Sequence, residues 1–198
     1  MNIERRLFTI AIRAEGDAPK ITGHAAVFNT PTDLGCFREQ IAPGAFREAI
    51  TRDDVKCLFN HNPDFVLGRN RAGTLRLSED EVGLYFECDP PDTQWGRDLV
   101  VSMKRGDISQ CSFGFIPTRQ QWDETGKVPV RTIQACQLFD VSPVTYPAYA
   151  STECQARSAE DVLLEHRAAN LEQPTVPDYR IDLAAKLAVI SALTATDF

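Results

Sequence analysis

The chain has 198 residues, is 43% hydrophobic and 25% charged, and carries a formal net charge of −7. That is a globular composition with room for one core of ordinary size and an appendage. The acidic balance, without a Lys/Arg cluster among aromatics, argues against a nucleic-acid partner, and no run approaches the roughly 18 apolar residues of a membrane span.

Met1 to Arg6 leads straight into a strand-like segment and lacks the apolar core of a signal peptide, so the protein is expected to stay in the cytoplasm where it is made. Phe8, Ile10 and Ile12 alternate with Thr9 and Ala11, the period of a half-buried strand. Ile21 to Phe28 continues in that style, with His24 inside it as a structural residue. Pro43 to Ile50 reads as one or two helical turns, with Pro at a permitted early position. Val55, Cys57 and Phe59 alternate again. Thr74–Ser78 and Leu84–Asp89 flank the polar turn Glu79 to Gly83, a predicted hairpin.

The spacing predicts a helix over 92–105. Asp92 or Thr93 can cap its start, Trp95, Leu99 and Met103 share one face, and Gly106 suits its end. A strand is predicted at 108–116, then a polar loop at Asp123 to Lys127, then a strand from about 129 to 141. Beyond 151, two short amphipathic helices are predicted, Ser158 to Leu171 and Asp178 to Leu193, around Pro174 and Pro177. Residues 1–150 thus read as a mainly β domain with peripheral helices (α+β), and many strands with few helices suggest a closed or nearly closed barrel. Residues 151–198 read as a helical tail, either loosely attached or packed on the core.

The six Cys, at 36, 57, 88, 111, 136 and 154, form no Cys-x-x-Cys pair and read as small buried apolar side chains. With the three His they lack metal-ligand spacing, so neither zinc nor any other cofactor is expected.

Ser112 lies in Gln110-Cys111-Ser112-Phe113-Gly114-Phe115. Strand alternation puts Cys111, Phe113 and Phe115 on a buried face and Ser112 with Gln110 and Gly114 on the other. Gly114 leaves room there for backbone or substrate. By local pattern alone Ser112 reads as an ordinary strand serine. His61 closes a strand where Pro63 forces an extended or turning path; it is placed to reach a nucleophile, or to cap a surface turn. Asp140 ends an apolar strand ahead of Val141-Ser142-Pro143, where an acid needs a partner. An imidazole is one such partner and backbone N–H groups are another. Asp64, Asp89 and Asp107 compete for the acid role. A base that takes the Ser proton and an acid that orients it would complete a nucleophilic site.

In order along the chain, seven blocks resemble the prohead proteases of tailed bacteriophages. They are Gly23-His24-Ala25-Ala26-Val27-Phe28; Phe37-Arg38-Glu39 with Ile41 to Phe46; Leu58 to Pro63 with Leu67-Gly68-Arg69; Gly73 to Leu77; Asp92-Thr93 with Trp95 to Asp98; Ser112 to Phe115; and Asp140 to Ala148. The resemblance implies a herpesvirus-protease-like barrel and a serine endopeptidase that cleaves scaffold or major capsid protein segments, and itself, inside the immature capsid in the host cytoplasm. It carries the family's His to His61, its Ser to Ser112 and its acid to Asp140. It also implies a homo-oligomer, and a tail beyond 150 that self-cleavage removes. Two rivals stay open: a catalytically inactive capsid-assembly or scaffold-binding β domain, and a Cys enzyme using Cys111.

Overall fold

The computed structural model describes residues 3–8, 13–15, 19–146 and 153–171. Its strands are β1 (Glu4–Phe8), β2 (Arg13–Glu15), β3 (Lys20–Val27), β4 (Thr32–Asp33), β5 (Arg38–Ile41), β6 (Lys56–Phe59), β7 (Asn62–Arg69), β8 (Leu75–Glu79), β9 (Gly83–Cys88), β10 (Gln110–Asp123) and β11 (Val130–Val144). Its helices are α1 (Arg47–Arg52), α2 (Gln94–Arg105) and α3 (Glu153–Leu171). The chain is therefore mainly β with three helices, an α+β fold. The predicted helix at 178–193 lies outside the described residues, as do Ile10, Ile12, Pro147 and Ala148. Two compact units divide the chain, one ending at Glu160 and the other starting at Asp161. Among the described residues no helix is long and apolar enough to cross a membrane.

The larger sheet runs β1-β10-β11-β5-β4, with β6 also paired to β11 and β7 to β6; the smaller runs β2-β3-β9-β8. Neither sheet closes into a barrel among the described residues. One edge of each sheet is short, with two residues in β4 and three in β2, while the opposite edges, β1 and β8, have five each. One apolar cluster joins the sheets, with Ile21, Leu84, Phe86 and Cys88 from the smaller and Cys111, Phe113, Phe115, Leu138 and Val141 from the larger. The Phe113 ring stacks on Phe115 and meets Phe46 edge-on at 5.5 Å.

α2 follows its sequence signals closely. The Thr93 hydroxyl accepts the Gly96 N–H at 3.3 Å, and Gly106 ends the helix at φ +85°. Leu99 and Met103 enter the core and Trp95 packs against it. α1 begins at Arg47, so Pro43 precedes the helix rather than opening it.

β10 and β11 are the longest strands and form one antiparallel ladder from Gln110↔Val144 to Asp123↔Val130. Its register shifts between Gly114 and Phe115, where Gly114 faces Asp140 but Phe115 faces Leu138. Phe139 is thus a bulge residue, and the alternation of side chains along β11 changes phase across it. Leu138 enters the core although Asp140, two residues on, lies on the opposite face. β10 also bears β1 on its other side, with Leu7 opposite Ser112 and Arg5 opposite Gly114.

A buried charge quartet ties β1 to the rest of the sheet. Arg6 Nε donates to Glu39 Oε1 at 2.5 Å, and Arg131 Nη1 donates to Glu39 Oε2 at 2.8 Å and Glu4 Oε2 at 2.7 Å. Glu39 and Arg131 are 3% and 2% exposed, so each charge depends on the others for neutralisation. Burial of Glu4 opposes its ionisation, but hydrogen bonds and charges from Arg131 and Arg6 outweigh that and hold its carboxyl below the ordinary value.

Candidate active site

Ser112 sits in β10 between two partner strands. Residues directly opposite in an antiparallel ladder share a face. Ser112 is opposite Ser142 and Gly114 is opposite Asp140, so all four lie on the face turned away from Cys111, Phe113 and Val141. The alternation read from the sequence therefore gives the right face for Ser112.

Of the two paths open to His61 at the end of β6, extended or turning, the chain takes the turn: His61 is the second residue of a two-residue hairpin. β6 pairs with β7 through Phe59↔Asn62, leaving only Asn60 and His61 between them. Both have φ +55°, the left-handed conformation that type I′ hairpin turns require at each central position. Asn and His enter that region more readily than most residues with a Cβ. Pro63 is tolerated because Pro63, Asp64 and Phe65 fall within a register shift of β7, between the Leu58↔Val66 and Phe59↔Asn62 pairs.

β6 lies parallel to β11, with Lys56 opposite Asp140 and Cys57 opposite Val141. The hairpin so placed sets the His61 ring between the two strands' side chains. Nε2 is 2.8 Å from Ser112 Oγ and Nδ1 is 2.5 Å from Asp140 Oδ2. Asp140 lies inside β11 rather than at its end, and the bulge at Phe139 is what turns it to this face. Its Oδ2 also accepts the Ser142 hydroxyl at 2.5 Å. Ser142 is fully buried and Ser112 is 1% exposed.

Reasoning from the sequence misses Ser142, though a signal is present: in a strand, i and i+2 share a face, so a hydroxyl two residues after an acid lies beside it. Gly114 has a different role from the one expected. Its open side is filled by Asp140, whose Oδ1 lies 2.5 Å from where a Cβ would stand.

The competing acids lie elsewhere. Asp89 takes two hydrogen bonds from Arg76 at 2.9 Å, Asp107 pairs with Arg105 at 3.3 Å, and Asp64 is exposed on β7. His24 bonds Asp80 at 2.7 Å on the smaller sheet. The Cys111 thiol is fully buried in the core, and burial pushes it up to about 12, so it is protonated near neutral pH.

Known proteins give two points of comparison. No curated protein sequence matches the chain significantly. Among solved structures, the bacteriophage T4 capsid assembly protease gp21 aligns with a TM-score of 0.43 and 10% identity, over 73% of this chain and 99% of that one. The sequence profile described as Caudovirus prohead serine protease matches residues 8–165, a span that contains His61, Ser112 and Asp140. That match covers most of the chain's length, and the chain belongs to the caudovirus prohead serine protease family.

Proposed function

We propose that the chain is a serine endopeptidase in which Ser112 is the nucleophile, His61 the general base and Asp140 the acid that orients it. The observation that carries this reading is the continuous hydrogen-bonded path Ser112 Oγ–His61–Asp140, at 2.8 and 2.5 Å. His61 Nε2 takes the hydroxyl proton as Oγ attacks a peptide carbonyl, then delivers it to the leaving amine; water repeats the sequence on the acyl-enzyme. Asp140 accepts from Nδ1–H, which fixes the tautomer with Nε2 free to receive a proton, and stabilises the imidazolium that forms. Ser142 steadies Asp140 through its second hydrogen bond. Such a triad needs no cofactor.

The substrates in this reading are scaffold and major capsid protein segments, and the chain itself, within the immature phage shell in the host cytoplasm. Residues 1–150 make up the protease domain, its two sheets on one core standing in for the herpesvirus-protease-like barrel. Residues 151–198 are a tail that self-cleavage removes or scaffold binds, and the enzyme works as a homo-oligomer. With Ser112 only 1% exposed, groups over it must yield before a substrate enters, which gives shell assembly a handle on when cleavage starts. An inactive assembly domain is less well supported, because it would have no need for three polar side chains joined in one path.

The test is co-expression of wild type and Ser112→Ala with the cognate scaffold and capsid proteins, with chain lengths read by mass spectrometry. Wild type should shorten its partners and its own tail, and Ser112→Ala should leave every chain intact. Cleavage by Ser112→Ala, or none by wild type in assembled shells, would overturn the reading.

A further inference from the structure

The turn that carries His61 is held to β11 by more than strand pairing. Asn60 N–H donates to the Pro143 carbonyl at 3.0 Å. The Asn60 side chain then closes a reciprocal pair with Thr145: Nδ2 donates to Thr145 Oγ1 at 3.2 Å, and Oδ1 accepts Thr145 N–H at 2.8 Å. The anchor points, Pro143 and Thr145, lie just beyond Asp140 and Ser142 along the chain. Pro143 and Ser142 also face Cys111 and Ser112 across the ladder. One short stretch at the end of β11 therefore positions the acid, registers the nucleophile and fastens the turn that carries the base.

A two-residue turn with both φ at +55° has little intrinsic preference for Asn-His over alternative loop conformations. β6 meets β11 through only two residue pairs, Asp140↔Lys56 and Val141↔Cys57, at the far end of β6 from the turn. The Asn60 N–H bond to Pro143 adds a single point about which the hairpin tip could still tilt, and His61 is at the tip. The Asn60–Thr145 pair supplies that restraint one residue from the imidazole.

We infer that Asn60 is a positioning residue for the reaction: through Thr145 it holds the His61 ring in line with both Ser112 Oγ and Asp140 Oδ2. It touches neither substrate nor reacting atoms. This inference rests on the proposed triad and adds a requirement to it. Displacement of a catalytic group by about 1 Å costs on the order of 10²-fold in rate, so the clip's effect should appear in chemistry far more than in folding.

The test compares wild type, Asn60→Gly and Thr145→Val. Glycine keeps the left-handed backbone at no steric cost and deletes both side-chain bonds; valine keeps the Thr145 shape and N–H and deletes only the Oγ1 acceptor. A fluorophosphonate is the probe: Ser112 Oγ forms a bond to phosphorus, fluoride leaves, and the hydroxyl proton passes to His61. Rates are read as ratios to wild type, since each variant shares the same buried nucleophile. Asn60→Gly should label about 10²-fold more slowly and Thr145→Val about tenfold more slowly, with melting temperatures near wild type. A second readout is the low-field NMR signal of the His61 Nδ1 proton shared with Asp140, which should weaken or move in Asn60→Gly. Labelling of both variants at the wild-type rate with an unchanged Nδ1 signal would overturn the inference and leave the triad standing. Labelling is read in shells assembled with the cognate scaffold and capsid proteins, where the groups over Ser112 yield; if wild type fails to label there, the serine-protease reading fails, and the Nδ1 signal alone decides whether Asn60 holds the ring.

Discussion

Replacing Gly114 with alanine should disable the site while leaving the core intact. The new Cβ would stand 2.5 Å from Asp140 Oδ1 and 3.4 Å from Ile3 Cγ2. Ordinary contact begins at 3.4 Å, so the carboxylate must retreat by the difference, about 0.9 Å. The displaced atom is Oδ1, and where Oδ2 is carried with it away from the ring the 2.5 Å His61–Asp140 bond lengthens to as much as about 3.4 Å, the outer edge of hydrogen-bonding range. The imidazole then loses its fixed tautomer, and the rate should fall about 10²-fold, short of the roughly 10⁴-fold loss that removing the orienting acid causes. Overpacking at one position costs about 1–3 kcal/mol, so the variant should still fold. Fluorophosphonate labelling of Ser112, read by intact mass, measures the rate, and a thermal melt checks the fold. If the alanine acts through Asp140, adding it to Asp140→Ala should cost little more than Asp140→Ala alone. A folded Gly114→Ala that labels within about threefold of wild type would show that the Asp140 carboxylate does not set the rate.

Two further outcomes separate chemistry from scaffolding. Cys111→Ala should label at the wild-type rate and lose only about 1 kcal/mol of stability, because its thiol is buried in the core and held protonated up to about 12; abolished labelling in a folded variant would revive the cysteine reading. Glu4, whose carboxyl is held below its ordinary 4.5 by Arg131 and Arg6 against the cost of burial, stabilises the fold above that value, and the contribution is lost as pH falls through its lower folded value. Melting temperature should therefore drop on acidification below about pH 4.5, and drop less steeply in Glu4→Gln; parallel curves for the two proteins would refute the linkage.

Strand alternation alone gives the correct facing of Ser112, because β10 is regular from Cys111 to Gly114. The ends of α2 are equally legible, since Thr93 and Gly106 are local signals that act locally. Asp140 is harder to read. Core residues on β11 fall at Ile133, Cys136, Leu138 and Val141, a spacing that register shifts break more than once. Period-two reading places Asp140 with Leu138, and only the bulge at Phe139 frees it to turn toward His61. A turn near His61 is legible, but its two-residue hairpin form is hidden: Asn-His lacks the glycine that usually marks such a hairpin, and Pro63 argues against a strand immediately after it. Glu4, Arg6, Glu39 and Arg131 are scattered over more than a hundred positions, so nothing local announces that they meet. Only the assembled sheet brings them into one buried cluster.

The fixed place of β1 has a consequence for the transition state. From Cys111 to Phe115 the nucleophile strand is paired on both sides, by β1 and by β11. From Cys111 to Gly114, ahead of the register shift, both ladders run regularly and engage the backbone N–H groups, and the Arg6–Glu39 and Arg131–Glu4 pairs lock β1 where it is. In the proposed mechanism, the oxygen that becomes negative as Ser112 attacks a carbonyl needs donors aimed at it. Those donors cannot come from the strand that carries the nucleophile, as they do where a serine opens a helix. They must be supplied by a loop, a side chain or a second subunit on the His61 side of the sheet. Electrostatic stabilisation of the tetrahedral oxygen is thus structurally separate from the Ser112–His61–Asp140 path.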